Sequence, residues 1–442
     1  MTASRFALLH IFVALIVVLA GASPTFAFKI AEVTSPGGIK AWLVEDRDIP
    51  LVAMKFSFGS GSTTDPLGKE GAANFLTGMM DEGAADLDSA AFQKLRDDLS
   101  FKMSFDAGLD DFQGSFQSLS RNRDASFELL RKVVTSPRFE AGPLERVRQQ
   151  FLLAVREQTE DPEQIASAAW MELALPGDLY ARRSIGTEKS IAAIGADDLR
   201  RAHSRIFNRK TLQIAVVGDI DAAGLGRLLD SVFGGLPEAA DMPPPAAPKL
   251  TGGPALKVVP RDIPQSIIVF GHGGILRNDP DFIPAFIMME ILAGDGFGSR
   301  LTDVIREKRG LTYGVGASLA PLRRIGLVIG SMSTRNEKAA EALELIRQEL
   351  IRMAGQGPTA DELAEAKTYL TGSYALRFDS NAAIASQLLG IQQENLGLDY
   401  VDNRNARVAA VTLDQVKAQA KRLLHAGKLI VTVVGKPEGL TN

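Results

Sequence analysis

The sequence predicts an α+β fold of two homologous domains, each an antiparallel sheet with helices packed on one face. The first observation is an internal repeat: Arg-Asp-Ile-Pro at residues 47–50 recurs at residues 261–264, each time before a β-like run. A second match joins residues 214–218 to residues 431–435, with nearly the same offset. A near-constant offset indicates duplication. Within each copy the strand patterns and helix patterns form separate clusters, which is typical of α+β domains.

The composition excludes several classes of protein. The 442 residues are 45% hydrophobic and 23% charged, which suits two or three folded domains and not a disordered chain. Lys and Arg total 49 against 53 Asp and Glu, so a general nucleic-acid binder is not expected. The chain has no cysteine, which excludes disulfides, thiol nucleophiles and cysteine-based metal sites.

Residues 1–27 have the pattern of a signal peptide. Arg5 precedes an apolar run over residues 6–20, and Thr-Phe-Ala at residues 25–27 offers small residues for cleavage. A retained membrane anchor is the alternative, but the run is short for a span of about 20 residues. We expect export to the periplasm, cleavage of the signal and no stable membrane span afterwards.

The domains are expected at residues 28–235 and 255–442. Residues 236–254 between them are rich in Pro and Gly, including three consecutive prolines, and this composition predicts an extended linker.

In the first copy, residues 39–44 and 51–58 are predicted as the two strands of a hairpin, and residues 212–217 as the closing strand. Amphipathic patterns between them predict helices at residues 72–80, 89–98, 125–134 and 144–158.

In the second copy, the apolar residues 283–292 predict a buried helix that matches the first helix of the first copy. Thr359 with Glu362, and Thr412 with Gln415, form capping-box patterns that predict two further helices.

The order of these motifs resembles the pitrilysin/insulinase superfamily of zinc peptidases, which includes the mitochondrial processing peptidase and core subunits of the respiratory bc1 complex. The resemblance covers nearly the whole chain after the signal. The segments that carry it are residues 59–65, 186–199, 216–219, 294–301, 306–313, 411–412 and 433–435.

The zinc motif of that superfamily is degenerate in this chain. Active relatives use H-x-x-E-H on a helix, where two His on one face ligate zinc and the Glu activates water. The matching positions hold Asn74, Thr77 and Gly78, and the more distant Glu falls near Ala154. An amide, a hydroxyl, a hydrogen and a methyl group cannot build a zinc site. We therefore expect no metal and no other cofactor in this chain.

No other metal or nucleophile pattern replaces it. His203, His272 and His425 each lack a second His three to five residues away, so structural roles are expected for them. No G-x-S-x-G pattern is present.

The resemblance implies that Arg306 and Tyr313 are the pair through which the C-terminal half binds and polarises the peptide in active relatives. A guanidinium and a phenol can both donate hydrogen bonds to a carbonyl or an oxyanion. Gly310 is expected to end the helix that carries Arg306, so that Tyr313 begins the next strand. The alternative is that both are ordinary surface residues.

An erased zinc motif beside a retained Arg/Tyr pair suggests the non-metal subunit of an exported heterodimeric zinc peptidase, inactive alone. The partner would carry H-x-x-E-H and the zinc ion, and the ligand would be a peptide. The alternative is a non-catalytic peptide-binding or structural protein; an autonomous peptidase with an unusual metal site is a third reading.

Overall fold

Two β-sheets, one in each half of the chain, organise the fold. The structure is a computed structural model that describes residues 28–239, 246–294 and 298–442. The signal-peptide prediction for residues 1–27 and the central prolines of the linker prediction lie outside the described residues.

The strands of the two sheets follow the same order. The first sheet consists of β1 (Ala31–Thr34), β2 (Lys40–Glu45), β3 (Leu51–Phe58), β4 (Lys102–Ala107), β5 (Phe112–Leu119) and β6 (Gln213–Gly218). The second consists of β7 (Ala255–Pro260), β8 (Gln265–Gly273), β9 (Val315–Pro321), β10 (Gly326–Arg335) and β11 (Ile430–Gly435). Their spatial orders are β1-β2-β6-β3-β5-β4 and β7-β11-β8-β10-β9. Apart from β1, each strand has a counterpart in the other half, as a duplication requires.

Each sheet is antiparallel except for one pair. β2 pairs with β6 in parallel, as does β7 with β11, because β6 and β11 return to their sheets after a long helical connection. The predicted hairpin of β2 and β3 is therefore wrong: β6 lies between them, with Val217 beside Val44 on one side and Ala53 on the other. The apolar β6 is suited to this central position, since strands buried on both faces are continuously hydrophobic.

Helices connect the strands in both halves, and the predicted helices occur within a few residues of their expected bounds. The first half contains α1 (Ala72–Met79), α2 (Ser89–Leu99), α3 (Arg123–Thr135), α4 (Ala141–Glu160), α5 (Pro162–Ala174), α6 (Glu188–Ala193), α7 (Ala196–Ile206) and α8 (Ala222–Phe233). The second contains α9 (Phe282–Ala293), α10 (Ala339–Gln356), α11 (Ala360–Gly372), α12 (Asn381–Gln393), α13 (Tyr400–Ala410) and α14 (Leu413–Leu423). The capping boxes at Thr359 and Thr412 are formed. Among the described helices, none is both long enough and apolar enough to cross a membrane.

Each half buries its main core between its own sheet and its own helices. In the first half this core includes Phe56 of β3 and Phe75 of α1, both fully buried. In the second half Met288 and Leu292 of α9 are fully buried, so this helix is core rather than a second metal site. Burial of aromatic and aliphatic side chains of this size is the main source of stability in each half.

The other face of each sheet is covered by one helix that belongs to the opposite half. Helix α5 of the first half packs on the second sheet, where Trp170 lies in a cluster with Ile430. Helix α12 of the second half packs on the first sheet, where Leu388 lies in a cluster with Val217. This exchange of helices holds the two halves together.

Candidate functional site

The polar side chains at the degenerate zinc motif, those of Asn74 and Thr77, donate hydrogen bonds to backbone carbonyl groups. Asn74 on α1 donates through its side-chain amide to the carbonyl oxygen of Ser184 at 2.8 Å. The Thr77 hydroxyl donates to the carbonyl oxygen of Asn74 at 2.7 Å. Both side chains therefore stabilise the local backbone, and neither offers a base or a strong metal ligand.

Apolar groups occupy the space beside Gly78. A Cβ at this position would lie 3.0 Å from Val147 Cγ1 and 3.1 Å from Phe151 Cε2, both on α4. Phe151 stacks on Phe75 of α1, with ring centroids 5.3 Å apart. The side chains of Val147 and Phe151 therefore occupy the space beside Gly78 in which the zinc motif would need an imidazole.

The residues at this locus do not fit a zinc ion. Ala154, on the same helix α4, has only a methyl group. Within the described parts of the chain, no group of three or more His, Asp or Glu side chains could hold a metal ion.

The three predicted structural histidines make contacts with other parts of the fold. His203 on α7 is stacked on Phe207, and its Nε2 lies 2.9 Å from the carbonyl oxygen of Val134. His272 is buried in β8, and its ring lies 6.2 Å from that of His425. That proximity could not be predicted from the sequence, because the two residues are 153 positions apart.

Arg306 lies on a segment of π-helix, Thr302–Glu307. Such short π segments occur frequently at functional sites. Just before it, Arg300 binds the carboxylate of Glu362 through two bonds of 2.6 and 2.7 Å. The Arg300 guanidinium holds the pKa of Glu362 at about 2, well below its usual value. This partly buried, charge-assisted pair fixes the start of the segment to helix α11.

The turn after Arg306 presents Tyr313 to solvent. Gly310 has a φ of +60°, the left-handed conformation that ends a helix without a steric penalty. Beyond it, the Thr312 hydroxyl donates to the carbonyl oxygen of Gly314 at 2.8 Å and accepts from its N–H at 3.1 Å. Tyr313, between these two residues, is 89% exposed. It lies two residues before β9 and does not begin the strand, because this local bonding replaces strand pairing.

Arg306 is half-exposed and lines a cavity of about 540 Å³. Its ion pair within the described chain is with the exposed neighbour Glu307, at 3.4 Å, and such surface pairs contribute little. The other walls come from β8, β9, β10 and, from the opposite half, Glu163 and Ser167 of α5. A guanidinium in this position can bind a carbonyl or carboxylate oxygen in the cavity.

The structure does not bring the two parts of the expected site together. Asn74, Thr77, Gly78 and Ala154 are absent from the described residues that line the Arg306 cavity. The two half-sites therefore belong to different surroundings within this chain.

The contribution of α5 to the Arg306 cavity cannot be predicted from the sequence pattern. Asp161 followed by Pro162 is a recognisable helix start, and the structure confirms the Asp161 cap. The apolar positions of α5 could therefore have been found, but nothing in the sequence pattern tells which sheet they cover.

Comparison with known proteins agrees with this geometry. The family model for the peptidase M16 inactive domain matches residues 193–370. A crystal structure of a peptidase M16 inactive domain from Pseudomonas fluorescens superposes with a TM-score of 0.85 at 30% identity, covering 94% of this chain and 99% of that one. A non-peptidase homologue from Helicobacter pylori, YmxG, is 25% identical over 345 residues, 78% of this chain and 79% of the relative. The beta subunit of the mitochondrial-processing peptidase of Lentinula edodes is 23% identical over 413 residues, 88% of this chain and 86% of the relative.

The chain belongs to the peptidase M16 family, as an inactive-type member that lacks the metal ligands at the motif positions. This confirms the resemblance to the pitrilysin/insulinase superfamily and the predicted α+β fold with two homologous halves.

Proposed function

We propose that this chain is the non-metal subunit of an exported heterodimeric zinc peptidase. It would supply Arg306 and Tyr313 to a partner that carries H-x-x-E-H and the zinc ion. The observation that supports this most is the contrast between the two half-sites. The zinc-motif positions are occupied by apolar groups and internally hydrogen-bonded side chains, whereas Arg306 lines a cavity and Tyr313 projects into solvent.

The chemistry of the pair suits substrate binding. Arg306 always carries its charge, and its planar guanidinium can hold a peptide carbonyl oxygen as negative charge develops on it. The Tyr313 hydroxyl is a second possible donor to a peptide oxygen, although Tyr313 is not among the described residues that line the Arg306 cavity. Because Tyr313 is 89% exposed, a partner surface can reach it without rearrangement of this chain.

The proposed assembly has a parallel in one relative, which is named as a subunit of a processing peptidase. Export is proposed from residues 1–27, whose charge, apolar run and small residues form a signal pattern.

The test is a reconstitution with an exported H-x-x-E-H subunit from the same cell and a fluorogenic peptide. The mixture should cleave the peptide, and Arg306→Ala and Tyr313→Phe should each lower kcat/KM by roughly 10²–10³. Arg309→Ala is the matched control, since Arg309 lies on the same turn and pairs with Glu341 on the surface. Cleavage that is insensitive to both Arg306→Ala and Tyr313→Phe would exclude the proposed role.

A non-catalytic peptide-binding function is the second candidate, favoured by the position of β9. This strand is at the edge of its sheet, and it borders the Arg306 cavity. An extended peptide could add to such an edge through backbone hydrogen bonds. This hypothesis predicts that the Arg306→Ala and Tyr313→Phe variants of the isolated chain bind peptides with the same affinity as the wild type. It also predicts that no partner subunit increases the affinity.

A further inference from the structure

A second, larger cavity of about 810 Å³ lies in the C-terminal half. Its walls come from α9, β9, α12 and α13 and from the 3₁₀ segment Ser373–Phe378. It adjoins the Arg306 cavity, since Gly294 and Gly316 line both. The part of this larger cavity around Arg404 differs from the Arg306 cavity in the charged groups that line it.

Arg404 is a buried cation that has no carboxylate partner among the described residues. It is 6% exposed and lies on α13, with its guanidinium 4.4 Å over the ring of Tyr374. One terminal nitrogen donates to the carbonyl oxygen of Leu370 and to the side-chain oxygen of Asn405. Both acceptors are neutral, and no carboxylate of the described residues lies within 4 Å of it. A buried charge normally has a counter-charge. An anion bound in this cavity would supply one for Arg404.

Two further guanidinium groups line the same cavity. Arg277 donates to the Tyr400 hydroxyl at 2.9 Å and lies 4.2 Å over the ring of Phe282, which holds it in place. Arg377, on the 3₁₀ segment, is exposed. Burial holds the pKa of Arg404 below its usual value, and the charge of Arg377 lowers it further. The three guanidinium groups line one cavity, and a bound anion would reduce the repulsion among them.

The carboxylates of the cavity do not neutralise this end. Glu290 lies at the Gly294 end, where a Cβ on Gly294 would fall 2.5 Å from its carboxyl carbon. Glu394 lies within the field of Arg277, yet burial raises its pKa above the usual value. Three guanidinium groups therefore face two carboxylates among the described lining residues, which leaves an excess of one positive charge.

We propose that this cavity binds a carboxylate group carried on an apolar body. Guanidinium groups bind planar carboxylates through paired, charge-assisted hydrogen bonds. Phe286, Met289 and Leu396 add hydrocarbon to the cavity wall, and the cavity volume exceeds what a small inorganic anion would fill. The C-terminus of an apolar peptide and a free apolar carboxylic acid share this chemistry. The site requires neither a partner subunit nor Tyr313, so it is independent of the function proposed above.

Calorimetric titration of the isolated full chain tests the proposal with three probes. They are an N-acetylated hexapeptide ending in two leucines, the same peptide with a C-terminal amide, and octanoate. The free-acid peptide or octanoate should bind, and the amide should bind at least about tenfold more weakly, because it lacks the charge. Binding of the peptide acid identifies a peptide terminus as the ligand; binding of octanoate alone identifies a small carboxylic acid.

Arg277→Gln and Arg377→Gln should each weaken binding of the acid by roughly tenfold or more. Arg377 makes no hydrogen bond within the described chain, so its variant is expected to fold normally even if Arg277→Gln does not. Arg407→Gln is the matched control: Arg407 lies on α13 near Tyr400 but outside the cavity lining. Equal binding of acid and amide, no binding at millimolar concentration, or equal affinities for Arg377→Gln and Arg407→Gln would each overturn the proposal.

Discussion

Trp170 in the first half of the chain donates its indole N–H to the carbonyl oxygen of Ile430 in the second half, at 2.9 Å. Ile430 begins β11, which lies between β7 and β8 in the second sheet. The bond therefore ties helix α5 to the interior of the opposite sheet. The exchange is reciprocal, since Gln392 of α12 donates to the carbonyl oxygen of Ile214 in β6, also at 2.9 Å. Separating the halves would expose both apolar interfaces and break both hydrogen bonds.

Trp170→Ala is expected to lower the free energy of unfolding by about 3–5 kcal/mol. The side chain is 1% exposed, so its removal leaves a cavity, and the carbonyl oxygen of Ile430 loses its donor. Urea unfolding can be followed by the fluorescence of Trp42, the other of the two tryptophans. Leu153→Ala on the neighbouring α4 is the control, because Leu153 is 58% exposed and should change stability by less than about 0.5 kcal/mol. Equal effects of the two variants would show that the docking of α5 does not stabilise the fold.

Gly78→His is expected to destabilise the chain by about 1–3 kcal/mol through overpacking. Its Cβ would lie 3.1 Å from the Phe151 ring and 3.0 Å from Val147. The cost should fall in a Phe151→Ala background, because the ring that blocks the imidazole is gone. A double-mutant cycle from urea unfolding measures this coupling. If the cost of Gly78→His were the same in both backgrounds, Phe151 would not be what fills the position of the missing ligand.

The sequence predicted local features better than the pairing of distant elements. Thr359 and Thr412 start helices as expected, because a capping box involves only four consecutive residues. The pairing of β2 with β3 was wrong, because β6 arrives from about 170 residues later in the chain and its apolar pattern does not state which strands it separates. The same limit applies to the cavity around Arg404. Its arginines lie on separate elements, and only the fold brings them together.

Gly310→Ala is expected to cost about 1 kcal/mol of stability and to displace Tyr313. Gly310 has a φ of +60°, which an Ala residue adopts only with strain. Gly355→Ala in helix α10 is the matched control, because neither glycine has any atom within 4 Å of an added Cβ. Gly355 is helical, so Ala there should leave stability unchanged or raise it by up to about 1 kcal/mol. Thermal unfolding of both variants distinguishes strain from crowding: similar losses for both would argue against the left-handed turn at Gly310.

The stability of the chain should depend on pH through His203. Burial lowers the pKa of this imidazole below its usual value, and its Nε2–H donates to the carbonyl oxygen of Val134 at 2.9 Å. Below about pH 6.5 the unfolded chain binds a proton that the folded chain excludes. The stabilisation from neutral His203 is therefore complete above that pH and declines as the pH falls, with a slope of up to about 1.4 kcal/mol per pH unit.

Urea unfolding from pH 5 to 8 of the wild type, His203→Gln and His203→Phe isolates this contribution. His272 is also buried with a lowered pKa, but it is present in all three proteins and cancels in the difference. The free energies of unfolding of the two variants should differ by the same amount at every pH. Both substitutions change packing and hydrogen bonding, but neither introduced side chain titrates in this range. The wild type should lose stability relative to both as the pH falls below 6.5. Parallel curves for all three proteins would mean that His203 is protonated in the folded state as easily as in the unfolded one, and its stacking on Phe207 would then not exclude the charge.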